Sequence, residues 1–409
     1  MNSGLTERVL AFLKKRRENL ITGNINSIPS EFRRFSGEFI GVEQGKMYLM
    51  TAGTKVGKTQ IGSFIFIFNT LLYSYYNPNK ANVKIFYYPL EETQEAIMIR
   101  FMSFLLNHLS GGKVRISPTD LKSSKNDNPL DEEILELLDS PEYRKILNHF
   151  ENNITFSSSQ NATGVWKEMT KYAEESGTTY RKKQKVKNEL GQESEIDVFD
   201  YYKQHDEKEY RIIFFDHVSL ISTERGLSQK QSIDKLSEYL VHLRNRYNFT
   251  PVVIQQQAFA SESLDAQRDN KVRPTIANLS DSKYISRDCD VCLGLFSPFR
   301  FELPEYMGYD VRIFRDNIRF LEVLINRGGS PGGIVPLFFD GCTNFYSELP
   351  QPNDMNGLNA IYEYIKYIRS PRKPAIINLT YAHIKDKPKS VLNNSILSKI
   401  KNFFKLKTN

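Results

Sequence analysis

The chain has 409 residues, with 55 Lys or Arg against 48 Asp or Glu and three cysteines. That length buries one large domain or two smaller ones, and three cysteines cannot build a disulfide framework, which suits a reducing compartment. Mean hydropathy is −0.46, and the most apolar segment, residues 61–76, is shorter than the ~20 residues needed to cross a bilayer, so no membrane span is expected.

The net charge of +7 is unevenly placed. Residues 350–409 hold eleven Lys or Arg and three Asp or Glu, a surplus of eight that exceeds the charge of the whole chain. Basicity belongs to the tail, and a pI near 9.0 says little about what the body binds.

The first 19 residues are charged and amphipathic, with Lys14-Lys15-Arg16-Arg17 and no apolar core followed by a cleavage site. No signal peptide is expected, and a cytoplasmic location follows. Leu5, Val9, Phe12, Leu13 and Leu20 predict a helix over residues 5–20, before a loop through Gly23 and Pro29. A lone helix of that length is marginal and needs a surface in its own domain or on a neighbouring copy. Residues 1–35 are accordingly read as a linker helix and loop.

Next comes Ala52-Gly53-Thr54-Lys55-Val56-Gly57-Lys58-Thr59. The alternating Lys46-Met47-Tyr48-Leu49-Met50-Thr51 before it predicts a strand, and the apolar run after it predicts a buried helix. Strand, small-residue loop and helix form a phosphate cradle, in which glycines let amide groups close on phosphate oxygens and the helix dipole adds positive potential. Lys58 would reach the β and γ phosphates of a nucleotide such as ATP, and the Thr59 hydroxyl would ligate Mg²⁺. The strict pattern begins with Gly; here that position is Ala52.

Further strands are predicted at residues 85–88, 155–157, 212–215, 252–255, 292–296, 322–326 and 337–339. Helical stretches separate the first five strands, which argues an α/β fold with a mainly parallel sheet, flanking helices and an antiparallel extension at the end. Residues 110–140 form a polar insert. Residues 178–209 run basic (Arg181, Lys182, Lys183, Lys185, Lys187) and then acidic (Glu193, Glu195, Asp197, Asp200), which suits a solvated hairpin turning near Gly191, with a nucleic-acid or partner contact as the other reading. Cys289 and Cys292 have no His nearby to complete a zinc set, and they are read as core residues. Beyond Pro350 the sequence suggests a linker, a short helix at 360–368, a basic loop and, over 391–406, a basic amphipathic helix suited to a partner, nucleic acid or a membrane surface.

A bound Mg·nucleotide needs a second carboxylate. Asp216, ending the apolar run Ile212-Ile213-Phe214-Phe215, is the candidate. Hydrolysis needs a group that orients water, and Tyr88-Pro89-Leu90-Glu91-Glu92 offers two carboxylates at the ligand-binding edge of a parallel sheet; chemistry alone does not choose between them.

These motifs, in this order, resemble the RecA-like P-loop ATPase domain of the DnaB-type hexameric replicative DNA helicases. The phosphate loop with a small residue in first place is similar to theirs. Leu90-Glu91, with Arg100 nine residues later, resembles their catalytic glutamate segment, and Asp216-His217-Val218-Ser219 their Mg²⁺ strand and its exit. Pro251-Val252-Val253-Ile254-Gln255-Gln256-Gln257 resembles the strand ending in the glutamine that senses γ-phosphate, which would be Gln257. Arg273-Pro274, Asp281-Ser282 and Asp288-Cys289-Asp290 resemble the segment that follows. Glu322-Val323-Leu324-Ile325-Asn326-Arg327-Gly328 resembles the strand whose Lys-x-Arg pair acts on the neighbouring subunit's nucleotide, with Arg327 as the finger and Ile325 in the lysine's place. Such a finger is worth roughly three to five orders of magnitude in rate, so keeping Arg327 argues for activity, while the loss of the lysine suggests a slower or differently tuned motor.

The resemblance covers about residues 29–349 and implies an ATPase and helicase domain over 36–349, interrupted by the 178–209 insert and followed by a basic tail at 350–409. It implies catalytic roles for Glu91, Lys58, Gln257 and Arg327, a homohexameric ring on single-stranded DNA in replication, and a primase or loader as partner. DNA would meet loops at 222–231 and 258–273, the second holding Arg268, Lys271 and Arg273, through sequence-independent phosphate contacts. The compact layout, with no N-terminal primase or helical-hairpin domain ahead of the linker helix, suggests a phage-encoded protein. Rival expectations are a filament-forming RecA-like recombinase and a non-motor protein that uses ATP as an assembly signal.

Overall fold

The computed structural model describes residues 4–35, 37–187, 193–258, 272–280 and 282–370. Among the described residues nine strands make the main sheet: β1 (Tyr48–Ala52), β2 (Asn82–Pro89), β3 (Ile154–Phe156), β4 (Glu209–Asp216), β5 (Thr250–Gln256), β6 (Val291–Phe296), β7 (Ile318–Asn326), β8 (Ile334–Asp340) and β9 (Phe345–Glu348). They lie in the order β9-β8-β7-β6-β1-β5-β4-β2-β3. From β6 to β3 every neighbouring pair is parallel, and β7, β8 and β9 add an antiparallel extension beyond β6. The expected α/β architecture is therefore present, with β6 joining the parallel part and β9 lengthening the extension.

The N-terminal helix α1 (Leu5–Ile21) buries no residue. It meets the body through Arg16–Glu43 at 3.2 Å and Arg8–Asp200 at 3.8 Å, while Leu5, Val9, Phe12, Leu13 and Leu20 stay exposed.

Both faces of the sheet are covered, which is why its central strands are apolar throughout rather than alternating with polar residues. Side chains of β1 and the residue before it point alternately to two cores: Tyr48, Met50 and Ala52 to one, Met47 and Leu49 to the other. The first core receives the long helical stretch after the phosphate loop, α2 (Lys58–Ser63), a π-helical turn over Phe64–Phe68 and α3 (Asn69–Tyr76), whose apolar run is buried on all sides as its composition requires. The second core is closed by the helices Ala162–Glu175 and Gln229–Tyr247.

Two expected boundaries move. Ile28, Phe32 and Phe35 are buried in the first core, so the compact body begins ahead of residue 36; three aromatic and aliphatic anchors in a short irregular stretch leave no periodic signal. At the other end, the helix Met355–Arg369 buries Leu358, Ile361, Tyr364 and Ile365, so the body runs on to Arg369 instead of ending at 349. Prolines 350 and 352 mark a turn held down by the Tyr309 hydroxyl, which donates to the Pro350 carbonyl at 2.7 Å. The expected 391–406 helix lies outside the described residues.

The basic and acidic runs of the insert are two arms of one antiparallel hairpin, Gly177–Lys187 and Glu193–Gln204, with Lys183 and Lys185 in register with Asp197 and Glu195. Opposite charges facing across the strands stabilise such a ribbon. Its turn, around Gly191, lies outside the described residues. At its base the fully buried Arg211 donates to Glu209 at 2.5 Å, to the Tyr202 hydroxyl at 2.7 Å and to the Ser176 carbonyl at 2.9 Å. Among the described residues, no helix is long and apolar enough to cross a membrane. Cys289 and Cys292 are buried, and burial pushes the Cys289 thiol up to about 12.

Candidate nucleotide-binding site

The site begins where β1 ends at Ala52. The chain turns through Gly53 and Thr54, passes Lys55 at φ 57° and Gly57 at φ 106°, and enters α2 at Lys58. Backbone at φ 106° favours glycine at Gly57, and a Cβ there would also lie 2.8 Å from the Tyr346 hydroxyl oxygen. Lys58 is almost wholly buried at the head of the helix.

The Thr59 hydroxyl donates to Asp216 Oδ1 at 3.0 Å, and Tyr87 donates to Oδ2 at 3.4 Å. This meeting follows from register: β4 lies beside β2 with Asp216 opposite Pro89, so both strands end at the edge where the phosphate loop opens. Burial pushes the Asp216 carboxyl up to about 6; the Thr59 bond and Lys58 oppose that rise, and the nearby Glu92 and Glu91 add to it. A hydroxyl and a carboxylate held together are hard oxygen donors that fit Mg²⁺, an ion that takes its remaining ligands from phosphates and water. Among the described residues there is no cluster of three or more His, Cys, Asp or Glu suited to a metal.

The two carboxylates after β2 are in different situations. Glu92 is ion-paired to Arg100, and Glu91 is half-exposed with Oε2 3.8 Å from His217 Nε2. Arg100, nine residues beyond Glu91, thus pairs with Glu92, and Glu91 stays the more exposed of the two carboxylates.

Gln257 is buried against the root of the loop. Its amide donates to the Ala52 carbonyl at 3.0 Å, its side-chain Nε2 to Thr51 Oγ1 at 2.8 Å, and its Oε1 accepts from the Thr275 amide at 3.2 Å. One side chain thus bridges the loop strand and the segment that resumes after residue 271.

Arg327 lies elsewhere. Strand β7 runs against β6, with Asn326 opposite Val291 and Val291 opposite Tyr48, so Arg327 sits at the start of β1 while the phosphate loop sits at its end. At ~3.3 Å per residue, about 15 Å or more of sheet separates it from its own loop. Its amide donates to the Asp290 carbonyl at 2.8 Å and its guanidinium contacts the Arg287 carbonyl. Ile325, opposite Cys292, packs at the margin of the second core. Of the expected DNA-contacting cations, Arg268 and Lys271 lie outside the described residues, and Arg273 is paired with Glu322 at 2.6 Å.

Two residues went unseen in the sequence. Arg319 and Tyr346, from β7 and β9, reach the outer side of the phosphate loop, with Arg319 Nε donating to the Val56 carbonyl at 2.7 Å and the Tyr346 hydroxyl to the Gly57 carbonyl at 3.2 Å. The one signal was a guanidinium inside the apolar run Ile318-Arg319-Phe320-Leu321, since a buried Arg must have partners.

No family model matches the sequence, and no curated protein matches it. Solved structures do. One ATPase domain superposes with a TM-score of 0.57 and 18% identity, over 85% of this chain and 100% of that one. A DnaB-like replicative helicase, solved to describe its interactions with primase, superposes with a TM-score of 0.54 and 17% identity, over 85% of this chain and 67% of that one. With the parallel sheet, its antiparallel extension and the loop at the end of β1, these likenesses identify the fold: a RecA-like α/β domain of the kind found in replicative-helicase ATPase domains.

Proposed function

We propose that the chain is an ATP-hydrolysing DNA helicase or translocase that works as a homohexameric ring on single-stranded DNA. The observation that carries this reading is the convergence, at one sheet edge of a RecA-like fold, of the phosphate loop, the Thr59–Asp216 contact and the Gln257–Thr51 contact. The loop amides and Lys58 would hold the phosphates, and Thr59 and Asp216 would hold a magnesium ion, whose contribution when bound would be charge neutralisation on the phosphate oxygens. Glu91 orients the attacking water, accepting its proton at the carboxylate. Gln257 transmits the state of the γ-phosphate to the segment on its far side, where DNA is gripped. Arg327, remote from its own loop, serves the site of the next subunit. The exposed apolar stripe of α1 packs on that same neighbour, and a primase or loader is the expected partner in replication.

The test is a forked-duplex unwinding assay with ATP beside negative-stain imaging. Closed six-fold rings, with unwinding lost in Glu91→Gln, support this reading. Helical filaments would favour a recombinase, and nucleotide binding without DNA-stimulated turnover would leave only an assembly role.

A further inference from the structure

A phosphate loop works only if its peptide units face the right way. In a trans peptide the C=O and N–H point in opposite directions, so fixing a carbonyl outward aims the partnered amide inward. The Val56 carbonyl shares its peptide with the Gly57 amide, and the Gly57 carbonyl shares its peptide with the Lys58 amide. Both carbonyls are fixed from outside by the antiparallel extension.

Arg319 is about 98% buried, its side chain anchored by the carbonyls of Asp316 at 2.8 Å and Ile318 at 2.9 Å and by Asp316 Oδ1 at 2.7 Å, with Nε left for Val56. Its guanidinium lies 4.6 Å over the Phe339 ring, which stacks on the Tyr346 ring at a centroid distance of 4.6 Å. Tyr346 in turn donates to the Gly57 carbonyl, which also accepts the first helical bond from Ile61 at 2.9 Å. Arg319, Phe339 and Tyr346 come from β7, β8 and β9 in turn, so three strands outside the parallel sheet form one stack behind the loop.

We infer that Arg319 and Tyr346 are positioning residues for nucleotide binding, presetting the Gly57 and Lys58 amides to receive the β-phosphate of a nucleoside di- or triphosphate. This rests on the ATP-binding reading above. The stack acts on peptide orientation before any ligand arrives, so its loss is felt as weaker binding of ADP and ATP alike and falls mainly on KM.

The experiment measures ADP affinity by calorimetry and ATP hydrolysis kinetics in the full chain, for wild type, Tyr346→Phe and Arg319→Lys, with Lys58→Ala as the reference for a lost site. Tyr346→Phe removes one hydroxyl and keeps the ring stack, and should weaken ADP binding and raise KM about three- to tenfold, with a smaller change in kcat. Its unfolding midpoint should move by no more than about 3 °C. Arg319→Lys keeps the charge and loses the planar fork, and should weaken binding about tenfold or more. Affinity within twofold of wild type in both variants, or lowered stability with KM unchanged, overturns the inference while the ATP reading stands. Wild-type protein that binds no ADP overturns both.

Discussion

The two ends of the central sheet are built differently. At the end where β1, β4 and β5 finish, polar groups meet within one chain: Thr59 with Asp216, Gln257 with Thr51, Arg319 with Val56 and Tyr346 with Gly57. At the opposite end Arg327 closes on backbone carbonyl groups, and α1 leaves its apolar stripe in solvent. The contrast separates what a single copy can do from what needs a second one. On the proposed reading, gripping a nucleotide is prepared inside the chain, and firing it depends on a surface that only a neighbour completes.

The largest effect that would break this picture is at Lys58. Lys58→Ala should lower ATP turnover by about a thousandfold, measured as phosphate release at saturating DNA. Next, Glu91→Gln should cost about a hundredfold or more in turnover while ATP binding persists. Glu92→Gln, which releases Arg100, should cost less than about tenfold in turnover and show its effect in stability; the reverse ranking would reassign the water-orienting role to Glu92.

A smaller effect concerns pH. Because burial raises the Asp216 carboxyl to about 6, the folded chain holds that proton more tightly than the unfolded one. The stability this group contributes to the nucleotide-free protein is therefore full below ~4, the ordinary carboxylate value, and is lost as pH rises through about 6. Asp216→Asn should stabilise the nucleotide-free and magnesium-free protein at pH 7.5 by about 3 kcal/mol in chemical denaturation and change nothing at pH 4. It should also remove the stabilisation that Mg·ATP gives the wild type.

The parts of this site that could be read from the sequence are those encoded locally. The loop, with β1 before it and an apolar helix after it, lies within a few dozen residues, and Asp216 closes an apolar run whose direction follows from the alternation of strands and helices. The support behind the loop could not be read that way, because Val56 meets Arg319 across 263 positions and Tyr346 is one aromatic among 22 tyrosines. Its only trace was a charge within an apolar strand. The choice of Glu91 over Glu92 came from the resemblance alone, since adjacent carboxylates at a strand end look alike in sequence; the pairing of Glu92 with Arg100 is visible only in the structure. The domain edges moved because Phe32, Phe35 and the helix Met355–Arg369 are held by tertiary packing, which local composition does not encode.

The central claim, that one chain's grip is completed by another's Arg327, is tested most directly by subunit mixing. Arg327→Ala protein titrated into wild type at constant total concentration should depress DNA-stimulated ATPase more steeply than the fraction of wild-type chains, because each variant disables a neighbour's intact site. A loss strictly proportional to dilution would contradict it, and place all of the catalytic machinery within the single chain.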